Sequence, residues 1–181
     1  MKNLDKLELG CGARPTEGYL HSDITKQPDV ELDYHCNPWE IEMAPNSLSE
    51  VIAIGMMEHV RFLEFLKTLR HIHTLLKPGG IFLFDVPDMF VWSGYLYDKL
   101  RGKPTPFSEK HIWRTVYGWQ RFPGDEHKCG WTYPKLKPLL EKIGFTDVKN
   151  DVNEFLNRDI KRRRFFRPAD AQIYISARKK M

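Results

Sequence analysis

Residues 51–86, with the sequence VIAIGMMEHVRFLEFLKTLRHIHTLLKPGGIFLFDV, decide the fold. The apolar run at 51–54 predicts a strand that is buried on both faces. A helix is predicted next, because apolar residues recur at helical spacing up to the breakers Lys77-Pro78-Gly79-Gly80. Its apolar positions are Phe62, Phe65, Leu66, Leu69, His73 and Leu76. A second apolar strand follows at 81–86, and a strand–helix–strand unit of this length pairs its strands in parallel through a right-handed crossover.

Further strands are predicted on both sides of this unit. The full set is residues 4–9, 19–24, 30–34, 51–54, 81–86, 146–155 and 171–177. A second helix, with Thr132 as its cap and Gly144 as its end, carries Pro138 inside its apolar pattern. We therefore predict one α/β domain that spans residues 1–181.

The composition excludes several classes of protein. The chain has 181 residues, which suits one domain on a prior of roughly 150 residues per domain. No stretch reaches the roughly 18 consecutive apolar residues of a membrane span, and the start lacks the apolar core of a secretory signal. Cys11, Cys36 and Cys129 have no paired spacing, so we expect neither a disulfide framework nor a metal site. These features favour a cytoplasmic protein without membrane contact, and a net charge of +4 is too small to indicate nucleic-acid binding by itself.

The first predicted strand ends in a glycine turn, Gly10-Cys11-Gly12, and Asp23 lies at the end of the second. Glycines at a strand end let the backbone approach a ligand, and a carboxylate at the neighbouring strand end can accept hydrogen bonds from ribose hydroxyls. Dinucleotide binding is the competing interpretation, but its fingerprint needs a third glycine and an acid roughly 20 residues further on. Residues 13–15 are Ala-Arg-Pro and Asp23 follows too soon, so the pattern disfavours NAD.

Four motifs together resemble the class I S-adenosylmethionine-dependent methyltransferases, and most of all the small predicted methyltransferases of bacteria and phages. They are Leu-Glu-Leu-Gly-Cys-Gly at 7–12, the acids Asp23 and Asp33, Met-Glu-His at 57–59, and Leu-Lys-Pro-Gly-Gly at 76–80. The resemblance implies S-adenosylmethionine as cofactor and a Rossmann-like sheet of seven strands flanked by helices, in the order 3-2-1-4-5-7-6 with the last strand antiparallel. The chain departs from the family at Arg14, where many members have another glycine, and in a shortened first crossover.

The same resemblance implies which residues contact the cofactor. They are Glu8, Gly10, Cys11, Gly12, Asp23, Ile24, Asp33, Tyr34, Gly55, Met56 and Glu58. Among them Asp23 would hold the ribose hydroxyls, while Asp33 and Tyr34 would flank the adenine. The backbone near Gly55 and Met56 would take the ammonium group.

Methyl transfer needs little further machinery. The sulfonium already makes the methyl group electrophilic, and alignment of the acceptor behind it can supply roughly 7–11 kcal/mol. A general base is required only where the acceptor must lose a proton. The candidates near pH 7 are His59, His111 and His127.

Residues 87–131 form an insertion after the fifth predicted strand that holds four of the five tryptophans. Because it leaves a strand at its carboxyl end, it is predicted to lie over the acceptor as a lid. Its candidate substrate contacts are Trp92, Tyr95, Trp113 and Tyr117, and the alternative is that these rings pack in the core. The polar stretch 125–128 is interpreted as a surface loop.

Residues 161–167, Lys-Arg-Arg-Arg-Phe-Phe-Arg, are the most basic stretch of the chain. Guanidinium groups suit phosphate or carboxylate, so Arg162 and Arg164 are predicted to bind an anionic acceptor such as a nucleotide-sugar, a phosphorylated glycan or RNA. The leading hypothesis is methyl transfer to an oxygen or nitrogen of a small or glycan-like acceptor by a monomer or homodimer. Two alternatives stay open: an inactive module that binds RNA or another nucleic acid, and, more distantly, an aminopropyl transferase.

Overall fold

The structure is a computed structural model that describes residues 5–158 and 171–181. Its strands are β1 Lys6–Leu9, β2 Leu20–Ser22, β3 Leu48–Ala53, β4 Leu76–Pro87, β5 Phe145–Asn150 and β6 Gln172–Lys179. Its α-helices are α1 Phe62–Leu75, α2 Met89–Leu100, α3 Glu109–Tyr117, α4 Tyr133–Ile143 and α5 Asn153–Leu156. Single turns of 3-10 helix lie at Pro38–Glu40 and Met57–His59.

The described strands form one mixed sheet in the order β2-β1-β3-β4-β6-β5. Strands β1 to β4 pair in parallel, and β6 runs antiparallel to both β4 and β5. Six strands correct the prediction of seven. Of the predicted strand at 30–34, only a bridge between Tyr34 and Ser22 is formed. The N–H groups of Asp33 and Tyr34 both bond to the one carbonyl of His21, and such sharing cannot continue as a regular ladder.

Helices α1 and α4 cover one face of this sheet. The predicted α1 is confirmed, and its Phe65 and Leu69 pack with Leu136 and Leu140 of α4 in the main core. The opposite face holds a second core cluster, to which β3 contributes Ile52. Neighbouring residues along β3 and β4 alternate between the two clusters, because successive side chains of a strand point to opposite faces of the sheet.

Two connections differ from a regular alternation of strands and helices. No helix forms between β1 and β2, which confirms the shortened first crossover. Strand β5 ends at Asn150 instead of continuing to residue 155, because the Asp151 carboxylate accepts the Asn153 N–H and starts the turn of α5. None of the helices within the described ranges is long and apolar enough to cross a bilayer.

Candidate active site

A cavity of about 610 Å³ opens at the edge of the sheet where β1, β3 and β4 end. Ligands bind at the carboxyl ends of strands in parallel α/β sheets. The volume lies within the roughly 300–1,000 Å³ of ligand pockets. Residues at the strand ends line one side of this cavity, and Trp119, residues 121–125 and His127 line the other. We call these the cofactor side and the acceptor side.

The glycine turn and Asp23 meet on the cofactor side, as the sequence predicts. The Gly12 N–H donates to Asp23 Oδ2 over 2.8 Å, and Thr25 N–H donates to Oδ1 of the same carboxylate, also over 2.8 Å. Gly10 has a φ of +62°, and a Cβ at this position would lie 2.4 Å from Cγ of Met56. The loops after β1, β2 and β3 therefore touch one another around the cavity.

Glu8 of β1 and Cys11 of the glycine turn, two of the predicted cofactor residues, are buried and do not line the cavity. The Glu8 carboxylate accepts hydrogen bonds from the Thr16 backbone N–H at 2.6 Å and from its hydroxyl at 3.0 Å. This pair braces residues 10–16 from below. Arg14, which replaces a glycine of the family pattern, lines the cavity.

Neither of the two predicted adenine neighbours lines the cavity, although Ile24, another predicted cofactor residue, does. Ile24 lines it with a side chain that is 59% exposed. Asp33 and Tyr34 lie outside the lining, and the Asp33 carboxylate instead accepts the His21 N–H over 2.8 Å. The structure thus gives Asp33 a contact with β2 that the motif did not indicate.

Two lining residues that sequence reasoning missed stand at the ends of β4 and β6. Asp85 accepts the Gly55 N–H at 2.7 Å and the side-chain amide of Gln172 at 3.0 Å. Both side chains are buried, and among the described residues Oε1 of Gln172 has no hydrogen-bond partner. A lone acid at the carboxyl end of the apolar strand IFLFDV is the signal that could have identified Asp85.

Glu58, His59 and His127 form a polar cluster at the junction of the two sides. Glu58 and His59 belong to the turn after β3, and Glu58 is 5% exposed. The rings of His59 and His127 are 4.8 Å apart and nearly perpendicular. Burial lowers the pKa of His59 below its ordinary value. Two of the three histidines predicted as bases therefore line the cavity together.

The acceptor side is formed by residues 118–127, where the chain reverses direction after α3. We call this segment the return. Gly118 has a φ of +83°, and a Cβ there would lie 2.2 Å from the Asp125 carbonyl. The returning chain is held by a hydrogen bond from the His127 N–H to the Tyr117 carbonyl over 3.1 Å. Trp119, Arg121 and other residues of the return line the cavity.

The interpretation of residues 125–128 as a surface loop is therefore wrong for its first member. The Asp125 side chain is only 7% exposed. Its carboxylate accepts hydrogen bonds from Nε of Arg121 at 2.9 Å and from Nη2 of the same side chain at 3.0 Å. This guanidinium holds the pKa of Asp125 below its ordinary value.

The aromatic residues predicted to contact the substrate lie outside the lining of this cavity. Trp92 is fully buried, and its indole N–H donates to the Ala171 carbonyl over 2.7 Å. Tyr95 and the candidate base His111 pack against the same indole, in a small core between α2 and α3. Trp113 and Tyr117 stack on each other at the surface. None of the five lines the cavity. Trp92, Tyr95 and His111 are directed into the core between α2 and α3, whereas Trp113 and Tyr117 lie on the outer surface of α3.

The remaining predicted substrate contacts, Arg162 and Arg164, lie outside the described residues. Their role as anion-binding groups stays a prediction.

Comparison with known proteins gives the family and the fold. Residues 5–150 match a methyltransferase domain family. A methyltransferase from Archaeoglobus fulgidus superposes with a TM-score of 0.59 at 17% identity, covering 96% of this chain and 85% of that one. The 1,6-didemethyltoxoflavin-N1-methyltransferase of Burkholderia thailandensis, bound to its namesake compound and S-adenosylhomocysteine, gives 0.57 at 17% identity, with 97% and 71% covered.

A third structure is phosphoethanolamine N-methyltransferase 2 of Haemonchus contortus, in complex with phosphomonomethylethanolamine and S-adenosylhomocysteine. Its TM-score is 0.58 at 16% identity, and this chain, although covered completely, spans half of that enzyme's length. No curated protein sequence matches significantly. The family match over most of the chain, together with the shared fold, shows that the chain belongs to the class I S-adenosylmethionine-dependent methyltransferases.

Proposed function

We propose that this methyltransferase moves the methyl group of S-adenosylmethionine to an oxygen or nitrogen atom of a small, negatively charged acceptor. The cofactor would lie on the cofactor side of the cavity and the acceptor between it and residues 119–127. One observation carries the proposal: the Asp23 carboxylate is hydrogen-bonded to the Gly12 N–H at the cavity edge. This places a group that can bind ribose beside a turn that lets the cofactor approach.

The cofactor side offers the groups that the cofactor requires. Each Asp23 oxygen accepts one backbone N–H, and a carboxylate oxygen can accept a second hydrogen bond, which leaves room for two ribose hydroxyls. The exposed side chain of Ile24 provides apolar surface for the adenine. Backbone carbonyls near Gly55 and Met56 would accept hydrogen bonds from the ammonium group. Glu8 would act indirectly, by fixing the loop through Thr16.

Methyl transfer requires that the acceptor atom be aligned with the methyl group and the sulfur of the cofactor. The acceptor lone pair forms a bond to the methyl carbon while the carbon–sulfur bond breaks, which leaves S-adenosylhomocysteine. Trp119 and Phe122 line the cavity and would exclude water from this line of attack. His59 and His127 line the same cavity and would be the candidates to accept a proton from the acceptor.

The negative charge of the acceptor is inferred from two arginines. Arg14 enters the cavity from the cofactor side and Arg121 from the acceptor side. Guanidinium groups bind phosphate and carboxylate well. Arg121 already pairs with Asp125, so Arg14 would be the main contact of an anionic acceptor, in a lining that also holds the acids Asp23, Glu58 and Asp85. One enzyme of similar fold forms a complex with the phosphate-bearing compound phosphomonomethylethanolamine, which supports an acceptor of this class. A glycan-like acceptor and RNA stay predictions.

The inactive nucleic-acid-binding alternative gains no support. It depends on Arg14 and on the basic run at 161–167, which lies outside the described residues. Asp23 and the glycine turn have the contacts of a cofactor site in spite of Arg14. The family match favours an enzyme.

The test is calorimetric titration of S-adenosylhomocysteine into Asp23→Asn and into a matched control, Asp29→Asn, which changes an exposed acid of the following loop. Hydrogen bonds to a charged group contribute about 1.5–3 kcal/mol, so we expect roughly a tenfold to hundredfold loss of affinity for Asp23→Asn and none for the control. Thermal unfolding of both variants checks that the loop contacts of Asp23 are not needed for folding. Equal affinities in the two variants would remove Asp23 from the ribose site.

A further inference from the structure

We propose that Glu58, His59 and His127 bind one divalent transition-metal ion at the junction of the cofactor and acceptor sides. One ligand atom from each residue lies within 4.8 Å of the other two. All three residues line the cavity. Cysteine spacing gives no sign of this site, because its ligands are a carboxylate and two imidazoles from two distant parts of the chain.

The separations suit a shared ion better than a hydrogen-bonded pair. Oε1 of Glu58 and Nε2 of His127 are 4.0 Å apart, beyond the roughly 2.7–3.2 Å of an N–H···O bond. Ligand atoms about 2.1 Å from a metal lie some 3.0–3.4 Å apart at octahedral or tetrahedral angles. Side-chain rotations that bring these ends closer by about an ångström complete such a site. The two imidazole rings are nearly perpendicular, so they can direct nitrogens to one point without stacking.

The surroundings hold the ligands in place. Nδ1 of His59 lies 3.1 Å from the Glu126 carbonyl, the type of outer contact that orients metal-binding histidines. The Lys128 N–H donates to the Glu58 carbonyl over 2.8 Å, which joins the turn after β3 to the returning chain. The two segments that supply the ligands are therefore bound to each other next to the site.

The ligand set indicates the class of metal. Two imidazole nitrogens and one carboxylate oxygen suit Zn²⁺, Co²⁺, Mn²⁺ or Fe²⁺, whereas Ca²⁺ prefers oxygen ligands throughout. Three protein ligands leave at least one coordination position open, as in catalytic metal sites. Because all three residues line the cavity, an acceptor bound there could reach such a position.

The use of the open position rests on the proposed function. A metal ion there binds an oxygen of the acceptor and lowers its pKa. The proton passes to water, and the oxygen electron pair forms the bond to the methyl carbon as the carbon–sulfur bond breaks. His59 and His127 then act as ligands and not as general bases.

The experiment measures metal directly on the full chain. Protein stripped with a chelator is titrated with Co²⁺, followed by the visible absorption of the bound ion and by elemental analysis after gel filtration. The variants are His127→Ala and the nearly isosteric Glu58→Gln, and the matched control is His35→Ala, an exposed histidine outside the cluster. We expect one site in the wild type and in His35→Ala. Loss of a ligand should weaken Co²⁺ binding by more than the roughly 10–100-fold that loss of an outer contact costs.

Titration of the wild type and His127→Ala with S-adenosylhomocysteine separates the two proposals. Co²⁺ binding that is absent, or equal in all four proteins, overturns the metal site even when S-adenosylhomocysteine binds, and returns the histidines to the role of candidate bases. Co²⁺ binding that depends on Glu58 and His127 supports the site, and failure of S-adenosylhomocysteine to bind then counts against the proposed function alone. If His127→Ala does not fold, Glu58→Gln decides the outcome.

Discussion

The two sides of the cavity are built by different means. The cofactor side consists of short turns at neighbouring strand ends, joined by local contacts such as that of Gly12 with Asp23. The acceptor side depends on a long segment that forms α2 and α3, packs a core of its own around Trp92, and turns back at Gly118. Changes on the cofactor side should therefore act on binding directly, whereas the acceptor side can be disturbed from a distance.

The largest expected effect comes from the core of the inserted segment. Trp92→Ala removes a fully buried ring together with its hydrogen bond to Ala171, and we expect the free energy of unfolding to fall by about 3–5 kcal/mol. Trp113→Ala, which removes a surface ring stacked on Tyr117, should cost about 1 kcal/mol or less. Urea denaturation measures both variants. Equal losses would show that the segment has no separate core.

A substitution at Gly118 should displace the residues of the acceptor side and leave the cofactor side in place. Gly118→Ala drives a Cβ into the Asp125 carbonyl, and a displacement of about 1 Å near the reacting atoms can cost 10²-fold in rate. Hydrogen exchange at His127, whose N–H bonds to Tyr117, reports the displacement before an acceptor is known. Gly124→Ala is the control, since its φ is also positive but its Cβ meets open space. Unchanged exchange in Gly118→Ala would contradict the account.

A smaller effect is expected from Gly10 on the cofactor side. Gly10→Ala places a Cβ against Met56 at a positive φ, so S-adenosylhomocysteine should bind roughly tenfold more weakly, a change of about 1.4 kcal/mol. Gly18→Ala has a positive φ in open space and should leave affinity unchanged. Calorimetric titration compares the affinities of the two variants for S-adenosylhomocysteine. Similar affinities would mean that the Met56 side chain moves aside without displacing the glycine turn.

The smallest effect should come from the amino ends of the parallel strands, at the opposite end of the sheet from the cavity. The Lys77 ammonium donates to Asp5 over 2.8 Å and lowers the pKa of that carboxyl. A lowered folded pKa stabilises the protein above the ordinary value of about 3.9, and this stability is lost as the pH falls through the folded pKa. Lys77→Met should thus cost less than about 1 kcal/mol at pH 7, since the pair is partly exposed, and progressively less as the pH falls through the folded pKa of Asp5. A cost that persists in acid would assign the effect to packing.

Sequence patterns predicted the cofactor side because its geometry follows from the sheet. Parallel strands end at one edge, so Gly12 and Asp23 had to meet once their strands were identified. The third strand failed as a prediction because the composition of residues 30–34 does not show that two N–H groups share the His21 carbonyl.

The acceptor side could not be predicted in the same way. No periodic pattern places Trp119 or Arg121 at the cavity, since their position depends on the positive φ of Gly118 and on the packing of α2 against α3. Aromatic composition drew attention to a segment that supplies part of the cavity lining, but the fully buried ring of Trp92 packs in the core of that segment and not at the cavity. The burial of Asp125 does not follow from the local sequence, because it depends on the reversal of the chain at Gly118, whose backbone lies against the Asp125 carbonyl.

The most direct test of the central claim is calorimetric titration of the wild-type chain with S-adenosylhomocysteine, with NAD as the parallel ligand. The account predicts one S-adenosylhomocysteine per chain and no heat of binding for NAD. It also predicts thermal stabilisation of about 2.7 kcal/mol at a ligand concentration 100 times the Kd. Binding of NAD, or no binding of S-adenosylhomocysteine up to millimolar concentration, would contradict it.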